Sequence, residues 1–164
     1  MEIKYSVKDK NITYLLYDIG VSSNFNNIWT LARGTLSRKP EGTTLIRESG
    51  QTNVMGYFYL TSIDNFVIEL DAIFDCENVT TDELHFRSNN WNVQKGSIKL
   101  SNYPKDTWTH FKFEKKNGIL KSWINETEIS TSSNPSTDMF VMQLGSEDNY
   151  FKYKNFIMYS ISNE

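Results

Sequence analysis

Two alternating runs in the middle of the chain, His110-Phe-Lys-Phe-Glu-Lys-Lys116 and Ile119-Leu-Lys-Ser-Trp-Ile124, are joined by Asn117-Gly118. Asn-Gly favours a two-residue type I′ turn, because both positions accept positive φ. That turn sets the register of an antiparallel hairpin: Lys116 faces Ile119, Lys115 faces Leu120 and Glu114 faces Lys121. Phe113 then meets Ser122, Lys112 meets Trp123, Phe111 meets Ile124 and His110 meets Asn125. Phe111, Phe113, Leu120 and Ile124 are expected in the core, and His110, Lys112, Glu114, Lys121 and Trp123 on the opposite, polar face. A slip of one residue would exchange the two faces.

Short apolar or alternating runs separated by turn-forming residues recur along the whole chain. Strands are expected at Thr13–Ile19, Ile28–Gly34, Thr43–Glu48, Gly56–Thr61, Phe66–Phe74, Glu83–Ser88, Asn92–Leu100, Thr107–Lys115, Ile119–Ile124, Met139–Gly145 and Lys152–Ser160. The stretches Ser22–Asn27, Ser37–Gly42, Gly50–Asn53, Asn78–Asp82, Ser101–Asp106 and Ser130–Thr137 are turn-forming in composition. No segment holds an apolar 3.6-residue period over three turns, so any helix is one short turn in a loop. Ten Phe, nine Tyr and four Trp stand against two Ala, Ala32 and Ala72, which is a strand-former's composition. The fold class expected is all-β, a two-sheet antiparallel jelly-roll sandwich, with residues 1–164 as one domain and no linker or repeat dividing it.

Other function classes are poorly served. The net charge is −3 with Lys and Arg scattered, so no basic patch for nucleic acid is expected. Apolar runs are far too short for membrane insertion. Met1–Lys10 carries three Lys and two acids with no apolar stretch behind it, so no secretion signal is expected. The lone Cys76 forms no internal disulfide and reads as a small core residue. Sequons at Asn11, Asn78 and Asn125 are read as unglycosylated. Phosphate loops, Cys-x-x-Cys pairs, His-Glu-x-x-His and Gly-x-Ser-x-Gly are all absent from the sequence.

The stretch Trp108 to Asn125 resembles the Trp-x-His-hydrophobic … Gly … Trp-hydrophobic-Asn segment of concanavalin A-like lectin/glucanase sandwiches, laminin-G-like domains included. Phe151-Lys-Tyr-Lys-Asn-Phe-Ile-Met-Tyr159 is similar to their closing strand. Phe66-Val-Ile-Glu-Leu-Asp71 and Leu84-His-Phe-Arg87 are similar to their central strands. The likeness runs from Phe66 to Ser160 and implies the jelly-roll fold, which hosts lectins, hydrolases, adhesion modules and viral surface parts alike.

Glu69 and Asp71 lie two residues apart on a strand, on one face and about 7 Å apart along it. In the glucanase branch such a strand carries a third carboxylate as the proton donor of a retaining mechanism. Ile73 and Phe74 stand here instead, and Asp75 is offset, so no catalytic residue is assigned and the chain is read as non-enzymatic. In the legume-lectin branch a similar strand and a later His ligate metal. That likeness implies a set of Glu69, Asp71, Asp75 and His85, with Asp82 near the place that Thr80 holds, for calcium or manganese.

Sugar-binding proteins stack apolar sugar faces on aromatic rings and complete recognition with polar side chains. Trp123 beside His110, and Trp91 within Arg87-Ser-Asn-Asn90-Trp, fit that description, as does Tyr59, which with Tyr57 points away from Phe58 and Leu60. Trp29 and Trp108 are expected in or at the edge of the core, and Asp138, Glu147 and Asp148 as loop charges. The expected function is recognition of a glycan or cell-surface ligand, at a cell surface or on a phage or viral particle. The alternatives are a structural or assembly component of such a particle, with homo-oligomer or virion partners, and a β-glucanase-type hydrolase.

Overall fold

The computed structural model describes residues 12–18, 30–46, 54–60, 63–76, 82–92, 98–133, 135–144 and 150–161. Thirteen strands follow one another there: β1 Ile12–Asp18, β2 Thr30–Arg33, β3 Thr35–Lys39, β4 Gly42–Ile46, β5 Val54–Tyr59, β6 Phe66–Asp75, β7 Glu83–Arg87, β8 Ile98–Lys99, β9 Thr109–Lys116, β10 Ile119–Ile124, β11 Thr127–Ser133, β12 Met139–Leu144 and β13 Tyr150–Ile161. One 3₁₀ turn, Leu100–Asn102, is the sole helical element among the described residues. The strands form two sheets. One has eight strands in the order β11-β10-β9-β6-β13-β4-β3, with β1 also on β13, and the other has five in the order β2-β5-β12-β7-β8.

The Asn117-Gly118 turn folds as its chemistry dictates, with φ of 51° and 77°. The register follows pair by pair from Lys116↔Ile119 to Phe111↔Ile124. Phe111, Phe113, Leu120 and Ile124 are buried. Every described phenylalanine is buried. Phe113 of β9 meets Phe86 of β7 and Phe140 of β12 edge-on, with centroids 5.4 and 5.3 Å away. These rings tie one sheet to the other, and such pairs contribute about 0.5–1.5 kcal/mol beyond the area they bury. Cys76 is a buried free thiol, raised well above the ordinary thiol range by burial.

Two strands stand where turn composition was read. β3 occupies much of Ser37–Gly42, and β11 much of Ser130–Thr137. Both lie at the ends of the eight-stranded sheet, where a strand covers little core and needs no apolar alternation. β11 is mostly exposed along its length. Of the segment expected as Asn92–Leu100, only Ile98–Lys99 is strand among the described residues. The expectations at residues 19–29, 47–53, 61–62, 77–81, 93–97 and 145–149, with Trp29, Asn11, Asn78, Thr80, Glu147 and Asp148, lie outside the described residues.

Candidate functional site

β6 lies inside the eight-stranded sheet, between β9 and β13. Its even-numbered residues Phe66 to Phe74 point into the core and are fully buried, so Glu69 and Asp71 stand on the outer face. Register carries two rows of side chains across that face. Lys154, Asp71 and His110 are aligned in one, and Ile157, Glu69, Lys112 and Trp123 in the next. Two residues read from one hairpin and two from a separate strand are thereby brought together.

His110 Nδ1 lies 2.8 Å from Asp71 Oδ1. A carboxylate only accepts, so Nδ1 donates, and in the neutral ring Nε2 is left as an acceptor. Nε2 points towards Glu69, 3.9 Å from Oε2, a carboxylate with no hydrogen bond of its own among the described residues. Asp71 Oδ2 accepts 2.7 Å from Asn155 Nδ2. Asn155 sits in a bulge of β13, between Lys154 and Ile157, at φ 53°, and the extra residue aims its amide at β6. Asp71 thus accepts on both oxygens, while the Glu69 oxygen and, in the neutral ring, His110 Nε2 form a pair of acceptors 3.9 Å apart.

Aromatic rings flank this pair. Trp123 is half-buried with the Lys112 ammonium 5.0 Å from its ring centre, and Lys154 lies 4.1 Å from that of Trp108. Trp108, expected in or at the edge of the core, is 38% exposed: it precedes β9 and lies beside Lys154 on the polar side. Sequence reasoning also missed Asn155, whose part depends on the bulge and has no signature beyond Asn's tolerance of positive φ.

The four residues of the metal set are not brought together. Glu69, Asp71 and Asp75 are on β6, whereas His85 is on β7 in the other sheet. Sheets pack about 10 Å apart and their outer faces point in opposite directions. Asp75 ends β6 and pairs with Lys105 Nζ at 3.1 Å. No group of three or more His, Cys, Asp or Glu able to hold a metal occurs among the described residues, so the residues present do not fit the ion that the legume-lectin likeness implies.

His85 belongs to a buried row on β7. Its Nε2 accepts from Arg87 Nε at 2.8 Å, and its Nδ1 is 3.0 Å from Glu83 Oε1, though poorly aligned for a hydrogen bond. Glu83 also pairs with Lys99 Nζ at 2.5 Å. Burial pushes the His85 pKa down, a shift that the nearby Glu83 opposes but does not overcome. Burial alone would raise Glu83, yet His85 and Lys99 together hold it below its ordinary value.

The remaining candidates gather on this second sheet. Arg87 donates from one terminal nitrogen to the Trp91 carbonyl at 2.7 Å and from the other to Gln143 Oε1 at 3.1 Å. Tyr57 meets Tyr59 edge-on at 5.6 Å and Trp91 at 5.1 Å. Asn90 accepts from the Ser88 hydroxyl in the tight turn before Trp91, which holds a φ of 66°. The six candidate ligand-binding residues therefore divide, His110 and Trp123 on one sheet and Arg87, Asn90, Trp91 and Tyr59 on the other.

No family model matches the sequence, and no curated protein matches it. Solved structures do. A Crh5 transglycosylase superposes with a TM-score of 0.63 at 9% identity, over 91% of this chain and 85% of that one. The β-glucanase of Bacillus licheniformis gives 0.60 at 10% identity, over 90% and 98%. The chain folds as a concanavalin A-like sandwich. A third such structure, the carbohydrate-binding module CBM66 from Bacillus subtilis, matches with 0.56 at 14% identity, over 81% of this sandwich and 96% of that module. At these identities the likeness is one of fold.

β6 of this sandwich is regular from Phe66 to Asp75, its pairing with β13 unbroken from Asp71 to Asp75. Phe74 consequently points into the core, and Asp75 lies about 13 Å along the strand from Asp71. Glycosidase carboxylates stand about 5–5.5 Å apart for retention and about 6.5–9.5 Å apart for inversion.

Proposed function

We propose that this chain is a non-catalytic glycan-recognition module whose ligand lies on the outer face of the eight-stranded sheet. The observation that carries the reading is the Glu69–His110 pair of acceptors, held by Asp71 and flanked by Trp108 and Trp123. Two acceptors 3.9 Å apart suit a bridging water, or one sugar hydroxyl on either of them, and the neighbouring rings, each with a lysine ammonium over one face, add apolar surface for the carbon side of a sugar. The fold's occurrence in a carbohydrate-binding module, a glucanase and a transglycosylase is consistent with a saccharide ligand.

Recognition without hydrolysis is favoured by the partners of Asp71. Each of its oxygens accepts from a protein donor, which commits Asp71 to orienting His110, and Asp75 is too far along the strand to act with it as a glycosidase pair. A glycan array, with size-exclusion chromatography of the same sample, tests the reading. Binding by a monomer supports recognition. No binding, with a stable trimer or ring, favours the assembly component. Release of reducing ends that disappears in Glu69→Gln would make the chain a hydrolase.

A further inference from the structure

The outer face of the five-stranded sheet carries an aromatic array with its own support. Tyr57 and Tyr59 project from β5, and Trp91 reaches Tyr57 from the turn after β7. β12 runs between β5 and β7, so Trp91 spans it, and the outward Met139 and Val141 of β12 are fully buried. Tyr59 remains 57% exposed and Trp91 40% exposed. Rings that only sealed Met139 and Val141 would have no need of this much open surface.

The array is rigidly held. Arg87 uses its three nitrogens on His85, the Trp91 carbonyl and Gln143, with its guanidinium carbon 5.9 Å from the Trp91 ring centre. Behind it run His85, Glu83 and Lys99. Asn89 N–H donates to Asp138 at 2.8 Å and fixes the turn to the start of β12. A site in which Trp91 is fixed by such a polar chain gives up little of that residue's entropy on binding.

We propose that this array is a second glycan-binding surface, selective for neutral saccharides, so that one chain engages glycans on both faces of the sandwich. This rests on the reading of the first face. Neutrality follows from the charges among the described residues: Arg87 is committed to the protein, Lys99 is paired with Glu83, and Asp138 accepts from the turn, which leaves none of the three for an ionic ligand. Flat apolar rings, with the exposed Asn90 in the turn that carries Trp91, suit a saccharide with one apolar face and a polar rim.

Calorimetric titration with the tightest neutral oligosaccharide from the array separates the two faces. Wild type is expected to bind two per chain, Trp123→Ala one, and Tyr59→Ala/Trp91→Ala one. Tyr59→Ala alone should weaken one site on the order of tenfold. Its exposure leaves the fold intact, so Tyr59→Ala guards against a double variant that fails to fold. Wild-type titration by both Tyr59→Ala and the double variant overturns the second surface and leaves the first standing. A single site lost on Tyr59→Ala and untouched by Trp123→Ala overturns the first face instead, and with it the two-faced chain. A dimer dispersed by Tyr59→Ala without change in glycan binding makes the array a self-interface and also overturns the proposal. Failure of wild type to bind any saccharide rejects both surfaces.

Discussion

Asp71 and His110 are direct neighbours across β6 and β9, and the 2.8 Å contact between Oδ1 and Nδ1 decides which ring nitrogen of His110 faces Glu69 as an acceptor. Asp71→Asn puts an amide donor in reach of Nδ1 and favours the other tautomer, with the hydrogen on Nε2. Glycan affinity should then fall on the order of tenfold with little change in Tm, because Asp71 is part-exposed. Unaltered affinity in a titration of this variant would show that the tautomer is irrelevant to binding.

Acid should destabilise the sandwich in two stages. His85 has its pKa lowered from 6.5 by burial, so below about pH 6.5 the unfolded chain takes up a proton that the folded chain resists, and stability falls with pH. Protonation at Nε2 would also set N–H against the N–H of Arg87. Glu83, lowered from 4.5, contributes stability that is lost as pH falls below that value. Tm measured from pH 8 to pH 4 should begin to fall below about 6.5, before the Glu83 stage, and His85→Gln, which can still accept from Arg87, should flatten that first stage. A melting curve equally steep in the variant would assign the acid sensitivity elsewhere.

Ser122 sits on the core face of β10, fully buried, and its hydroxyl has no hydrogen-bond partner. Ser122→Ala should leave stability unchanged or raise it by up to about 1 kcal/mol, since it removes a polar group buried without compensation. Chemical denaturation measures this. A loss of more than about 1 kcal/mol would mean that the hydroxyl is satisfied.

Calcium and EDTA should each leave Tm where it was. Glu69 and Asp71 lie on one sheet and His85 on the other, so no ion can be shared among them. A rise in Tm with calcium that is abolished in Glu69→Gln would restore a metal to the first face.

The hairpin from Thr109 to Ile124 was legible to the residue, because a two-residue turn leaves only one register and the alternation says which face is apolar. Glu69 and Asp71 could be put on a shared face by period alone. Nothing local says that β6 pairs with β9, some forty residues away, and it is this pairing that makes one site of Asp71 and His110. His85 was misplaced for the same reason: spacing along the chain does not reveal which sheet receives a strand. β3 and β11 were missed because edge strands need no apolar face, and Thr127-Glu-Ile-Ser-Thr-Ser-Ser133 has the composition of a turn.

Glycan binding by the outer face around Glu69, His110 and Trp123 is read from the indole N–H resonances during titration with an oligosaccharide selected on the array. The Trp123 signal should shift in a saturable way, and Glu69→Gln should weaken that saturation by about tenfold or more while the spectrum stays that of the folded protein. Saturable glycan binding with the Trp123 signal unmoved, and with unchanged affinity in Glu69→Gln, would place the glycan away from this face.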